Sequence, residues 1–199
     1  VPEFDVRKIG QSNPLAAGSN TITVTIQSNV NLAQATDSSV VTISGLTNAP
    51  DAASLALTSV ESSGADLFSD GATQGKGALS SGTLTLTVHT GQTVLAGTQY
   101  AFSFTITNPS SAQGAASATI EASGTASFAQ AAMVAPNSPL LGVANGTNPL
   151  VVVVPEFDVR KIGQSNPLAA GSNTITVTIQ SNVNLAQATD SSVVTISGL

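Results

Sequence analysis

Cysteine and tryptophan are absent from this sequence, and histidine and methionine occur once each. Without cysteine there is no disulfide framework, no thiolate metal site and no thiol nucleophile. The single histidine, His89, has no other histidine or cysteine near it in the sequence. Metal and acid–base sites need partnered side chains, so His89 is read as a solvent-facing residue on the threonine side of a strand. Charge is also scarce: 8% of the 199 residues are charged, against about a quarter in ordinary domains. Five basic residues and a net charge of −6 exclude the basic face that nucleic-acid recognition requires. They argue equally against docking on an anionic membrane surface. The longest aliphatic run, Leu150 to Val154, stops at Pro155, far short of the roughly 20 apolar residues of a membrane helix. No signal peptide is visible. Because Val1 falls inside a repeat, targeting signals are expected outside this stretch.

What the sequence does contain is a duplication. Residues 1–46, VPEFDVRKIGQSNPLAAGSNTITVTIQSNVNLAQATDSSVVTISGL, return letter for letter as residues 154–199. The chain is therefore one period of 153 residues, 1–153, followed by the start of the next, 154–199. A cut at 47–199 yields an equally complete period. The copies are under a third of a period, too short for a domain of their own. At least one of them is expected to make its main strand contacts outside its own block, by strand sharing between repeats.

The remaining pattern is that of strands. Ile22, Val24 and Ile26 alternate with Thr21, Thr23 and Thr25, and Leu84, Leu86 and Val88 alternate with Thr85, Thr87 and His89. Alternation with β-branched residues on both faces favours the pleated sheet. Phe4–Val6, Val41–Ile43, Leu55–Leu57, Tyr100–Ile106 and Ile120 anchor further strands. A break in alternation at Lys8–Ile9 points to a bulge or a strand end. Asn13-Pro14 and Asn108-Pro109 mark turns. Thr125–Val134 fits either a strand or a helical turn. Glu61–Gly82 reads as one long loop, functional or mobile. Leu150–Val159, apolar on both faces, reads as a strand buried on two sides. About eight or nine strands per period, with few helices, predict an all-β, antiparallel, immunoglobulin-like β-sandwich.

No combination of residues argues for catalysis, so no catalytic, metal or cofactor residues are assigned. Asp66 and Asp70, in GADLFSDG, lack the spacing of a calcium loop, and Glu61 and Asp51 would add oxygens only if folding brought them close. Gly71–Gly82 lacks the strand–loop–helix setting of a phosphate cradle. Asn145-Gly146-Thr147 is an N-glycosylation sequon in a Pro/Gly-rich segment, which makes Asn145 the glycosylation candidate. Four of the five basic residues are Arg7, Lys8 and their copies Arg160 and Lys161. They read either as charges that block edge-to-edge aggregation or as a junction meeting Asp66 or Asp70 of a neighbouring repeat. Val151, Val152, Val153, Val154 and Phe157 complete the candidate contacts between repeats.

The phrases GTLTLTVHTGQTVLAGTQYAFSFTITNP, ATIEASGTA and PLLGVANGTNPLVVVVPEFDVRKIGQSNP, with VVTISGL, resemble the repeat unit of giant tandem-repeat surface proteins of microalgae and protists. The resemblance covers nearly the whole period and brings no catalytic residues with it. It implies an extracellular or cell-surface fibril of immunoglobulin-like domains in series, carrying covalent glycans. The expected partners are neighbouring copies of the same repeat, with no nucleic acid and no membrane span in this stretch. The alternative is an adhesin stalk or a carbohydrate-binding module.

Overall fold

The computed structural model describes residues 1–34, 38–186 and 192–199. Among them there is no helix. In chain order the strands are β1 (Phe4–Gln11), β2 (Ser19–Ser28), β3 (Leu32–Ala33), β4 (Val40–Ser44), β5 (Ala52–Ala56), β6 (Thr58–Glu61), β7 (Phe68–Ser69), β8 (Lys76–Ser80), β9 (Thr83–Val88), β10 (Thr93–Val94), β11 (Gln99–Thr107), β12 (Thr119–Ser123), β13 (Phe128–Ala132), β14 (Phe157–Gln164) and β15 (Ile175–Ser181). One sheet has the order β1-β2-β11-β6; the other runs β13-β12-β4-β9-β8-β5, with β7 also on β9. The strands pair antiparallel throughout.

The two sheets close on each other because each offers one apolar face. From the first come Ile22, Val24, Ile26, Phe102 and Phe104; from the second, Val41, Ile43, Leu84, Leu86 and Ile120. Burying each such side chain stabilises the fold by about 1.5–3 kcal/mol. Two edge-to-face aromatic pairs bridge the layers. Phe68 meets Phe102 at 5.5 Å between ring centroids, and Phe4 meets Phe128 at 4.7 Å. The expected all-β sandwich is what the chain forms.

Several local expectations are corrected. The described residues of 1–153 contain thirteen strands rather than eight or nine, because several are two-residue strands and one predicted strand is split. Ser54–Val60 is that split strand: β5 pairs with β8 in one sheet and β6 with β11 in the other. Leu57, between them, is where the chain changes layers. Glu61–Gly82 is not one open loop. It supplies β7 and β8, and Ala65, Leu67, Phe68 and Leu79 are core residues. The alternation break in β1 is real, but the register shift lies between Phe4 and Val6, not at Lys8–Ile9. The extra residue flips parity, so Phe4 and then Ile9 and Gln11 all point inward. Thr125–Val134 resolves as a strand, β13, with Phe128 inward.

Candidate functional site

With no chemical constellation in the sequence, the repeat boundary is the place to look. The first copy is built into the sandwich: β2 lies between β1 and β11, β3 pairs with β10, and β4 lies between β9 and β12. Among its described residues the second copy forms one hairpin, β14–β15, in the same register as β1–β2 down to the bulge, which recurs between Phe157 and Val159. Among the described residues neither copy pairs its strands outside its own block. The expected strand sharing is thus corrected: 1–153 closes by itself.

The chain path explains why 1–153, and not 47–199, is the closed unit. The chain enters beside the end of β2, where Phe4 is opposite Ser28 and Asn29 Nδ2 donates to Val1 O at 2.9 Å. It leaves beside the other end of β1, where Val153 N donates to Pro14 O at 2.8 Å and Ala16 N donates to Val153 O at 2.9 Å. The eight residues of β1 separate these points by about 23 Å. Val154 follows Val153 directly, so the second copy cannot start in the place of Val1.

A buried amide network fixes the point where the chain leaves. Asn20, Gln11 and Asn108 are 0%, 8% and 3% exposed. Asn20 Nδ2 donates to Gln11 Oε1 (2.9 Å) and Asn108 Oδ1 (2.8 Å). Gln11 Nε2 donates to Gly146 O (2.8 Å) and Val151 O (2.9 Å), while Gln11 Oε1 accepts from Leu150 N at 2.7 Å. Asn108 Nδ2 donates to the carbonyls of Asn13 and Leu15. Buried amides are tolerated only when so satisfied. Sequence reasoning missed these three residues. The available signal was the recurrence of Asn-Pro at 13–14, 108–109 and 148–149, whose turns meet here.

The predicted contact residues are placed as follows. Val152 is buried and bridged to Gln113; Val153 is bridged to Leu15; Val151 is half-buried. These belong to the first sandwich, whereas Val154, Pro155 and Glu156 are exposed and carry no strand. The expected continuous strand Leu150–Val159 is therefore two separate pairings joined by three residues outside any strand. Arg7 is committed within its own period: Nε donates to Ala132 O (2.9 Å) and Nη1 to Phe4 O (2.8 Å). Lys8 is exposed. Their copies Arg160 and Lys161, with Phe157, line a shallow groove of about 270 Å³ between the second hairpin and residues 194–197. Asp70 lies elsewhere and is held locally. Its Oδ2 accepts from Ser54 Oγ at 2.6 Å, and its Oδ1 accepts from the amides of Ala72 and Thr73. These bonds, the Ser54 one foremost, lower its carboxyl pKa to about 2. Asp66 is exposed, and its backbone carbonyl accepts from Gln74 Nε2. Arg7 and Asp70 are thus each held by hydrogen bonds within the first period.

Among the described residues no cluster of three or more metal-ligating side chains occurs. Asp51 accepts from Ser81 N and Glu61 accepts from Gln99 Nε2, each a local structural bond. His89 is half-buried and its amide donates to Leu67 O. Asn145 is exposed on a turn, and Thr147 of its sequon bonds through its hydroxyl to Ser138. No protein-family model matches the sequence, and no curated protein matches it.

Proposed function

We propose that this chain is a segment of a structural fibril or surface appendage, outside the cell, built from β-sandwich domains of immunoglobulin-like type in tandem. The observation that carries the reading is the combination of an exact sequence period with the chain path. A closed sandwich takes the chain in at one end and releases it at the other. Successive periods are thereby strung end to end rather than folded back side by side. The second copy supports this, since its hairpin already has the register of the first and lacks only the strands the next period would bring. Partners are then neighbouring repeats of the same kind. Asn145, exposed near the point where the chain leaves, is the site proposed for an N-linked glycan.

The carbohydrate-binding alternative gains nothing from the placement of aromatic groups. Six of the seven aromatic residues, Tyr100, Phe4, Phe68, Phe102, Phe104 and Phe128, are at most 5% exposed, and the seventh, the half-buried Phe157, is the twin of Phe4, which a complete sandwich buries; sugar platforms expose ring faces. Electron microscopy of the native assembly tests the fibril. A rod with an axial repeat of one sandwich, roughly 30–40 Å for strands of this length, is expected. Isolated globular particles in the native material would overturn the reading. Mass spectrometry of the Asn145 peptide before and after enzymatic deglycosylation tests the glycan; an unmodified peptide from native material would remove it.

A further inference from the structure

We infer that the Leu140–Val143 turn is a built seat for the turn that follows the second strand of the next period, Val183–Asn184 here, and that this contact fixes the angle between consecutive sandwiches. The inference rests on the tandem reading above.

The seat has an unusual construction. Leu140 and Val143 exchange both backbone hydrogen bonds, at 3.0 and 2.9 Å, and the two residues between them have φ of 53° (Leu141) and 82° (Gly142). This is a two-residue turn with both central residues left-handed, a geometry that favours Asn-Gly or Gly-Gly. The β8–β9 hairpin uses the same geometry with Ser81 and Gly82. A leucine in the first position costs about 1–2 kcal/mol of steric strain. Strain of this kind persists where surrounding contacts hold it. Here Leu141 O accepts a hydrogen bond from Asn184 N at 2.8 Å, the one hydrogen bond among described residues that joins 1–153 to the second copy. A side chain on Gly142 would place its Cβ 2.5 Å from Asn184 Oδ1 and 3.0 Å from Asn184 N. A Cβ there would crowd the Asn184 backbone amide as well as its side chain, and a φ of 82° itself favours glycine.

The two identical copies supply the control. Val183 is 6% exposed although its own hairpin is open, with Ile175, Val177 and Ile179 at 40–46%. Its twin Val30 is only half-buried although its own sandwich is complete. The deeper burial of Val183 accompanies the hydrogen bond that its neighbour Asn184 makes to Leu141 of the preceding period. Asn31, the twin of Asn184, accepts from Ala96 N through its side chain at 2.8 Å. Its backbone amide makes no hydrogen bond among the described residues. The same turn can thus serve its own sandwich through the side chain and the preceding sandwich through the backbone. With the three-residue connection Val154–Glu156, the contact gives each junction two points of attachment. One covalent point alone would leave a swivel.

NMR of the full 199-residue chain tests this without any assembly. The Asn184 amide should exchange at least about tenfold more slowly than the Asn31 amide. Amides of β14 and β15 should share the rotational correlation time of the sandwich. Val183→Asp, which lies outside the closed unit, should erase the Asn184 protection and let the hairpin tumble faster. Gly142→Ala should do the same by steric conflict, while Leu141→Asn, which keeps the carbonyl and suits the turn, should retain the protection. Equal exchange at Asn184 and Asn31, or protection that survives both Val183→Asp and Gly142→Ala, would overturn the seat. Such a result would leave the fibril to the microscope, where a native rod would then be articulated instead of stiff.

Discussion

Two stretches of identical sequence have opposite fates in this molecule. In β2 the pattern Ile22, Val24, Ile26 is at most 1% exposed; in β15 the same residues, Ile175, Val177 and Ile179, stand 40–46% exposed. Yet the local structure is the same. Asn20 Oδ1 accepts from the amides of Ser12 and Asn13, and Asn173 Oδ1 accepts from those of Ser165 and Asn166. Asn20 and Asn173 each donate to the glutamine nine residues earlier. Asn29 and Asn182 each tie the start of their copy to the end of its second strand. What differs is everything that comes from elsewhere: Asn108, Gly146, Leu150, Val151 and the strand β11. Local hydrogen bonds and turn chemistry write the hairpin, and position in the chain decides whether it is buried.

The strongest challenge to that conclusion is removal of the first copy. A chain of residues 47–199 still contains one of every segment, but the second copy cannot reach the vacated place across about 23 Å with no connecting residue. The expected outcome is loss of the cooperative monomeric unfolding transition, read by circular dichroism against denaturant. A 47–199 monomer as stable as 1–153 would break the chain-path argument. Next in size is the same substitution made in each copy. Ile22→Ala should cost about 2–5 kcal/mol, whereas Ile175→Ala should change the stability of the sandwich by no more than about 0.5 kcal/mol. Equal effects in chemical denaturation would show that the two copies exchange places. A smaller contrast is expected at the amide network. Asn20→Ala leaves Asn108 Oδ1 without its donor, while Gln11 Oε1 keeps the Leu150 amide, so the expected cost is about 1–3 kcal/mol. Asn173→Ala removes only exposed turn bonds and should leave the denaturation midpoint of the sandwich unchanged.

The smallest effect concerns a residue with no twin. Asp70 has its carboxyl pKa lowered to about 2 by Ser54 Oγ and the Thr73 and Ala72 amides. A depressed folded-state value means that its contribution is present above about pH 4 and is lost as the pH falls toward 2. Ser54→Ala should raise the pKa toward the ordinary carboxylate value and narrow that acid dependence, measured by NMR titration of the Asp70 side chain. An unchanged titration would show that Ser54 does not hold the carboxylate.

Much of the fold was legible in the residues. Strict alternation located β2, β4, β9 and β11 and their inward faces, because an antiparallel strand with one buried face must alternate. The same rule failed where its condition failed. In Ser54–Val60 the chain changes layers within seven residues, and at Ala65 and Leu67 a turn, not a strand, carries core side chains. The amide network was hidden because Gln11, Asn20 and Asn108 are polar residues 9 to 97 positions apart, of which only Asn108 stands in a recognisable turn motif. The junction was sought in charges and valines. The hydrogen bond that joins the second copy to the first period is at the Leu140–Val143 turn, where the informative feature is a backbone conformation at Leu141 that composition does not reveal.

The sequence by itself determined the period, the all-β class, the faces of the regular strands and, through its repeated asparagines and prolines, the hairpin that both copies form. Those are consequences of side-chain alternation and short-range hydrogen bonding, which act wherever the residues occur. Only the tertiary structure decided which copy fills the sandwich, where the chain enters and leaves, and how the second copy meets the first period. Those depend on what lies within reach of a chain whose connections are fixed. Identical residues 153 positions apart do not have the same neighbours.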